Sequence, residues 1–191
     1  MAQHGLAPFK KKALQEGHLP VFVDEAGFYL LPGTARTYAP CGHPPVLKVA
    51  QTNDHLSMMS GITPCGELLT LTRSHPLRGE ESVAFLQHAR RQLSSRLLVI
   101  WDRSPIHRSE LVRQFLAQGA AQTIHLELLP PYAPDLNPDE GVWKLYKRDE
   151  MPNLCCNGLG VLHQELRLAT ARLRNKPQVI QSCFEAAGLD L

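Results

Sequence analysis

The chain has 191 residues, with 20 Lys and Arg against 18 Asp and Glu; 43% of its residues are hydrophobic and 20% charged. A chain of this length buries roughly 70% of its unfolded surface in one domain, and its composition excludes a wholly disordered chain, a collagen-like repeat and a coiled-coil rod. No apolar run approaches the roughly 20 residues of a bilayer span, and Met1–Lys12 lacks a signal peptide's apolar stretch, so a soluble, cytoplasmic protein with no membrane partner is expected. The formal charge of +2 is too small to identify a nucleic-acid partner, so the distribution of charge must carry that argument. Cys41, Cys65, Cys155, Cys156 and Cys183 contain no CxxC pair, which points to free, buried thiols and away from disulfides or structural zinc.

Residues 1–19 hold Lys10, Lys11 and Lys12 and read as a tail or lead-in helix, with one domain over 20–191. Val21–Asp24 has the pattern of a buried strand that delivers an acid at its end, and Phe28–Leu31 extends it or pairs with it. A Pro- and Gly-rich loop spans 32–45. His55–Thr63 and Glu67–Ser74 flank Pro64-Cys65-Gly66 as a hairpin, so the three early strands should be antiparallel neighbours. Gly79–Leu93 reads as a helix with Val83, Leu86, Arg90 and Leu93 on one side and Phe85 and Ala89 widening the apolar face. Leu97–Trp101 is the most hydrophobic strand and again ends in an acid, Asp102. Leu111, Val112, Phe115 and Leu116 recur at helical spacing, and Ile124–Leu129 is a further strand. Asn137 can cap a helix that begins at Pro138 and runs toward Glu150. Leu159, Leu162, Leu166, Ala169 and Leu173 then form a stripe whose simplest use is core packing. This order predicts an α/β fold, a mixed sheet with helices on its faces.

Three acids stand out within that order. Asp24 and Asp102 each follow an apolar strand, and Glu140 opens a helix that can lower a third carboxylate onto them if the two strands are neighbours. Crowded anions bind protons more tightly unless a divalent cation neutralises them, and carboxylates with open positions favour Mg²⁺ or Mn²⁺. Glu25 points to the opposite strand face from Asp24, and Asp139 diverges from Glu140 by about 100°, so Asp24 and Glu140 are the chosen ligands. Spacing alone leaves other uses open: Asn137–Glu140 fits a capping box, and both aspartates fit solvated loop edges. From Gly141 to Lys176 seven cations, Lys144, Lys147, Arg148, Arg167, Arg172, Arg174 and Lys176, face three acids, a patch suited to a DNA backbone or to a solvated helix face.

Val21–Phe28 (VFVDEAGF), Val99–Ser109 (VIWDRSPIHRS) and Leu129–Trp143 (LPPYAPDLNPDEGVW) resemble the three acidic motifs of DDE transposases of the IS630 and Tc1/mariner superfamily. The resemblance runs from about Pro20 through the final helices. It implies an RNase H-like, retroviral-integrase-type fold and a catalytic and metal-binding triad of Asp24, Asp102 and Glu140. It further implies two Mg²⁺ or Mn²⁺ ions, with Asp24 bridging them and each other acid holding one, that serve cleavage of transposon ends and attack of a 3′-hydroxyl on target DNA. Arg103, His107, Arg108, Lys144, Lys147 and Arg148 become candidate DNA contacts. Transposon-end and target DNA are the implied partners, a homodimer is also allowed, and the implied location is the prokaryotic cytoplasm, on the nucleoid when DNA is bound. Family members usually carry helix-turn-helix segments before the catalytic domain, whereas only about 20 residues precede the first acid here, so such a module is expected to be absent from this chain. An idle DNA-binding or assembly remnant and a related RNase H-like nuclease are the alternative readings.

Overall fold

The computed structural model describes residues 17–31, 36–47, 52–131 and 133–189. Most of the expected N-terminal tail and residues 32–35 of the Pro/Gly-rich loop lie outside the described residues. Strands β1 (Leu19–Tyr29), β2 (His55–Ile62), β3 (Leu68–Arg73), β4 (Leu97–Trp101) and β5 (Ile124–Leu128) form one sheet in the order β3-β2-β1-β4-β5. The first three are antiparallel neighbours, while β4 runs parallel to both β1 and β5. The helices are α1 (Gly79–Leu93), α2 (Glu110–Ala117), α3 (Asp139–Lys144), α4 (Leu159–Arg174) and α5 (Pro177–Ala186). A wider π turn over Leu145–Glu150 continues α3.

Alternation along the central strands divides the core. Val21, Val23, Leu97, Val99 and Trp101 pack with Phe85, Leu86 and Ala89 of α1 and Val112 of α2. Phe22, Leu98 and Ile100 face the other way, onto Val142 and Trp143 of α3, Leu162, Leu166, Ala169 and Leu173 of α4, and Phe184 of α5. Each sheet face is therefore covered by helices, as a strand buried on both sides requires. The stripe on α4 is core, as its spacing predicts. The β2–β3 hairpin also forms where expected, with Gly66 at φ +85° closing its turn, a region open to glycine without a Cβ penalty.

Several local expectations are revised. Asp24 does not end its strand: β1 runs on to Tyr29 because β2 keeps pairing with it as far as His55, whereas the β4 pairing stops at Phe22 and Ile100. The buried face of α1 includes Ser82, Phe85, Leu86 and Ala89; of the expected line Leu86 is in the core and Val83 and Leu93 pack half-buried at its edge, while Arg90 is exposed, since the face is centred on Phe85, Leu86 and Ala89. The cysteines are free, but Cys41 and Cys65 are exposed and Cys155 half-buried, leaving only Cys156 and Cys183 in the core. No helix among the described residues is long and apolar enough to cross a membrane.

Candidate active site

Strand register brings the first two acids together. Phe22 of β1 is paired with Ile100 of β4, and Asp24 and Asp102 each lie two residues further on, so both follow the alternation of the same sheet face. Across from Asp24 on β2 stands Ser60, whose hydroxyl lies 2.6 Å from both oxygens of Asp139, a wholly buried residue at the start of α3. The Asn137 side chain accepts from the Asp139 amide at 3.2 Å and donates to the Val23 carbonyl at 3.3 Å. These bonds pin the first turn of α3 to β1 and β2. Helical rotation then turns Glu140 away from Asp139 and toward solvent, and the cleft lined by Asp24, Asp102 and Glu140 also takes in Arg103, Ser104, Leu129 and Asn137.

The helix starts one residue later than expected. Pro138 is the cap residue, and Asn137 caps from one position further back through its bond to the Asp139 amide. Glu140 makes no return bond to the Asn137 amide among the described residues, so the capping-box geometry does not form and its carboxylate is left to the cleft. One turn on, Trp143 donates from Nε1 to Asp24 Oδ2 at 2.8 Å, and its ring packs edge-on against Phe28. Burial pushes the Asp24 carboxyl up to about 7; the Trp143 bond opposes that, and the nearby charge of Glu140 reinforces it. Asp139 is likewise raised well above the usual carboxylate range, again by burial first.

Asp102 is held differently. Its side chain is 51% exposed; Oδ1 accepts from the Ser104 amide at 2.8 Å and lies 2.9 Å from His107 Nδ1. The other nitrogen of His107, Nε2, bonds Glu25 Oε1. Strand alternation had set Glu25 aside, yet the face it points to is the one that carries His107, so Glu25 touches the site through the imidazole. Nothing local signals this contact, because the two residues are 82 positions apart.

The candidate DNA contacts divide into two groups. Arg108, Lys144, Lys147 and Arg148 are exposed, and Arg103, also exposed, lines the cleft with Nε bonded to the Leu129 carbonyl at 3.2 Å. His107 is a correction: its side chain is only 1% exposed, and both ring nitrogens face carboxylates, so it presents no edge to a phosphate. Within the wider basic patch, Arg172 and Lys176 pair with Glu150 and Arg174 bonds the Leu68 carbonyl, which reduces the charge free for DNA.

The family model of a DDE superfamily endonuclease matches residues 20–153. The chain belongs to the DDE endonuclease superfamily. Among solved structures, it is similar to the Mos1 transposase paired-end complex with left transposon end, at 16% identity and a TM-score of 0.64 over 98% of this chain and 60% of that one. It is also similar to the mariner Mos1 paired end complex with Mg, at 16% identity and a TM-score of 0.65 over 98% of this chain and 58% of that one. With the catalytic domain of Mos1 mariner transposase alone, the identity is 13% and the TM-score 0.56 over 100% of this chain and 91% of that one. The chain thus spans about 60% of the Mos1 chains in the DNA complexes. No curated protein matches it by sequence. The mixed sheet of this DDE endonuclease domain is the RNase H-like, integrase-type fold that its motifs imply.

Three carboxylates on one open cleft offer oxygen donors only, the set that hard divalent cations such as Mg²⁺ and Mn²⁺ prefer. A cation there would relieve the desolvation and repulsion that push the Asp24 carboxyl up to about 7.

Proposed function

We propose that this DDE domain is the catalytic part of a transposase that cleaves DNA phosphodiesters at transposon ends and joins the 3′-hydroxyl to target DNA. Asp24, Asp102 and Glu140 would hold one or two Mg²⁺ or Mn²⁺ ions, which when bound polarise the phosphate and lower the pKa of the attacking hydroxyl or water. The observation that carries the reading is convergence: acids from β1, the end of β4 and the start of α3 line one solvent-open cleft. The chain's own part is placement. Ser60 and Asn137 fix the helix that carries Glu140, Trp143 orients Asp24, and Ser104 and His107 orient Asp102. Arg103 in the cleft, with the exposed cations Arg108, Lys144, Lys147 and Arg148, would supply positive charge for the DNA backbone. Such a protein works on DNA, at the nucleoid if the host is prokaryotic, either alone or as a pair of copies.

A strand-transfer assay with Mg²⁺ or Mn²⁺, on duplexes carrying the ends of the flanking element, tests this function. Cleavage and joining that need the metal and vanish in Asp102→Asn, with the fold and most DNA affinity retained, are the expected result. Cleavage without joining would indicate a nuclease. Parent-rate cleavage in a pure Asp102→Asn protein would remove Asp102 from the site.

A further inference from the structure

The row Glu25–His107–Asp102, with the imidazole buried at its centre, has no role in the reading above beyond the last contact. Glu25, Asp102 and His107 bring donor atoms within 4.8 Å of one another, which invites a metal site. The geometry argues otherwise. Glu25 meets Nε2 and Asp102 meets Nδ1, and one ion cannot bind both nitrogens of a single imidazole. With a carboxylate at each end, the ring satisfies both acceptors only as a donor from both nitrogens. The ring lies flat on Trp101, with centroids 4.1 Å apart and planes within 5°, so neither sliding nor tilting is free to it; an indole face also favours a cation.

We infer that Glu25 and His107 are positioning residues that fix the carboxylate of Asp102 for cation binding. Asp102 needs such a device. It follows the end of β4, half of its side chain is in solvent, and a free aspartate there would sample several rotamers. Oδ1 accepts from the Ser104 amide and sits 2.9 Å from His107 Nδ1 as an ion pair, while the same Nδ1 donates to the Asp102 backbone carbonyl at 3.3 Å, so the ring grips both the backbone and the carboxylate of Asp102; no bond among the described residues reaches Oδ2, which is left for a ligand. Glu25 acts one step back, holding the imidazole by its far nitrogen. The division of labour follows from the pleat: Asp24 and Glu25 are consecutive, one entering the cleft and the other reaching the opposite face, where the turn after β4 brings His107. Outer partners of this kind typically change metal affinity by about 10–100-fold.

This inference rests on Asp102 being a metal ligand, so the test carries a control for that. Mn²⁺ affinity of the full chain is measured without DNA, from the spin-resonance signal of free Mn²⁺, for the parent, Asp102→Asn, His107→Gln, His107→Asn and Glu25→Gln, with circular dichroism confirming the fold. Asp102→Asn should weaken binding; if it does not, the triad reading fails. Given that loss, His107→Gln should weaken Mn²⁺ binding about tenfold or more, and Glu25→Gln by a smaller factor. His107→Asn, whose amide nitrogen replaces Nδ1, should recover most of the affinity. Glu25→Gln should add nothing in the His107→Gln background, since it acts through the ring. Parent-like binding in both His107→Gln and Glu25→Gln, or equal losses in His107→Gln and His107→Asn, would overturn the positioning role. If His107→Gln fails to fold, Glu25→Gln decides by itself: a weakened affinity supports the role and an unchanged one ends it.

Discussion

Asp24 and Asp102 occupy equivalent register positions, yet the fold treats them as different chemical groups. Asp24 is enclosed between β2 and α3, and its carboxyl is pushed up to about 7 by burial; Asp102 stands half in solvent. The Trp143 indole, at 2.8 Å from Asp24, is the larger of two donors that favour the ionised form there, the Glu25 backbone being the other, and hydrogen bonds to charged groups contribute about 1.5–3 kcal/mol. Trp143→Phe keeps an aromatic ring beside Phe28 and removes that donor together with part of the indole's volume. It is expected to weaken Mn²⁺ binding severalfold and, in mildly alkaline metal-free buffer where Asp24 is ionised, to lower stability by about 1–2 kcal/mol. Denaturant titration and Mn²⁺ titration check this pair of effects. Parent values in both would show that the indole packs without supporting the carboxylate.

At the scale of elements, the position of Glu140 depends on how closely α3 can approach α5. Gly141 makes that approach feasible: a Cβ there would stand 2.8 Å from Cys183 Sγ and 3.0 Å from its Cβ. Alanine would gain helix propensity, but overpacking at such distances costs about 1–3 kcal/mol. Gly141→Ala should therefore lower the unfolding temperature and, by shifting the neighbouring Glu140, slow cleavage. Cys183→Ala in the same chain should return part of both losses, and a double variant no better than the single one would place the cause elsewhere. The π turn after α3 is tied down at its end by Glu150, whose side chain is 6% exposed and bonds Arg172 at 2.5 Å and Lys176 at 2.9 Å. Burial would raise its pKa, but the bonds from Arg172 and Lys176 outweigh burial and hold it below the usual carboxylate range. A depressed folded pKa means stability that is present above the unfolded value of about 4.5 and lost as pH falls through the folded one. Glu150→Gln should thus cost about 1 kcal/mol at neutral pH, with the gap from the parent closing in acid. A gap that stays constant across that range would mean that packing, and not charge, gives Glu150 its effect.

For the whole molecule, the working surface is the cleft together with the exposed cations that make no ion pair among the described residues. Lys144, Lys147 and Arg148 are exposed on or just beyond α3, and Lys147 lies 5.5 Å from the centre of the Phe28 ring. Contacts of this kind read phosphate and not base edges, so they support affinity more than sequence choice. Replacing all three by alanine should weaken DNA binding and flatten its salt dependence by about 2.7 in log K against log salt, if each meets one phosphate at about 0.9 per contact. The loss should be equal for end-containing and scrambled duplexes. An unchanged slope would put the DNA on another face.

What the sequence by itself determined is what depends on short-range pattern. Continuous apolar runs in Val21–Asp24 and Leu97–Asp102 marked two buried strands, each apolar run followed by an acid, Pro64-Cys65-Gly66 marked the hairpin, and the 3.6-residue period of Leu162–Leu173 marked a core helix. The three ordered motifs reached as far as the family and the identity of the acids that line the cleft. Tertiary structure decided everything that needs two distant segments at once. Where β1 stops pairing with β4 could not be read from β1, because strand ends are set by the partner's length. The use of His107 was hidden for the same reason: its ring is locked by Glu25 and Trp101, whose faces are known only once the sheet is assembled. Glu140 kept its carboxylate for the cleft because Ser60 and Val23 hold the neighbouring Asp139 and Asn137, bonds across a sequence gap that no local periodicity records.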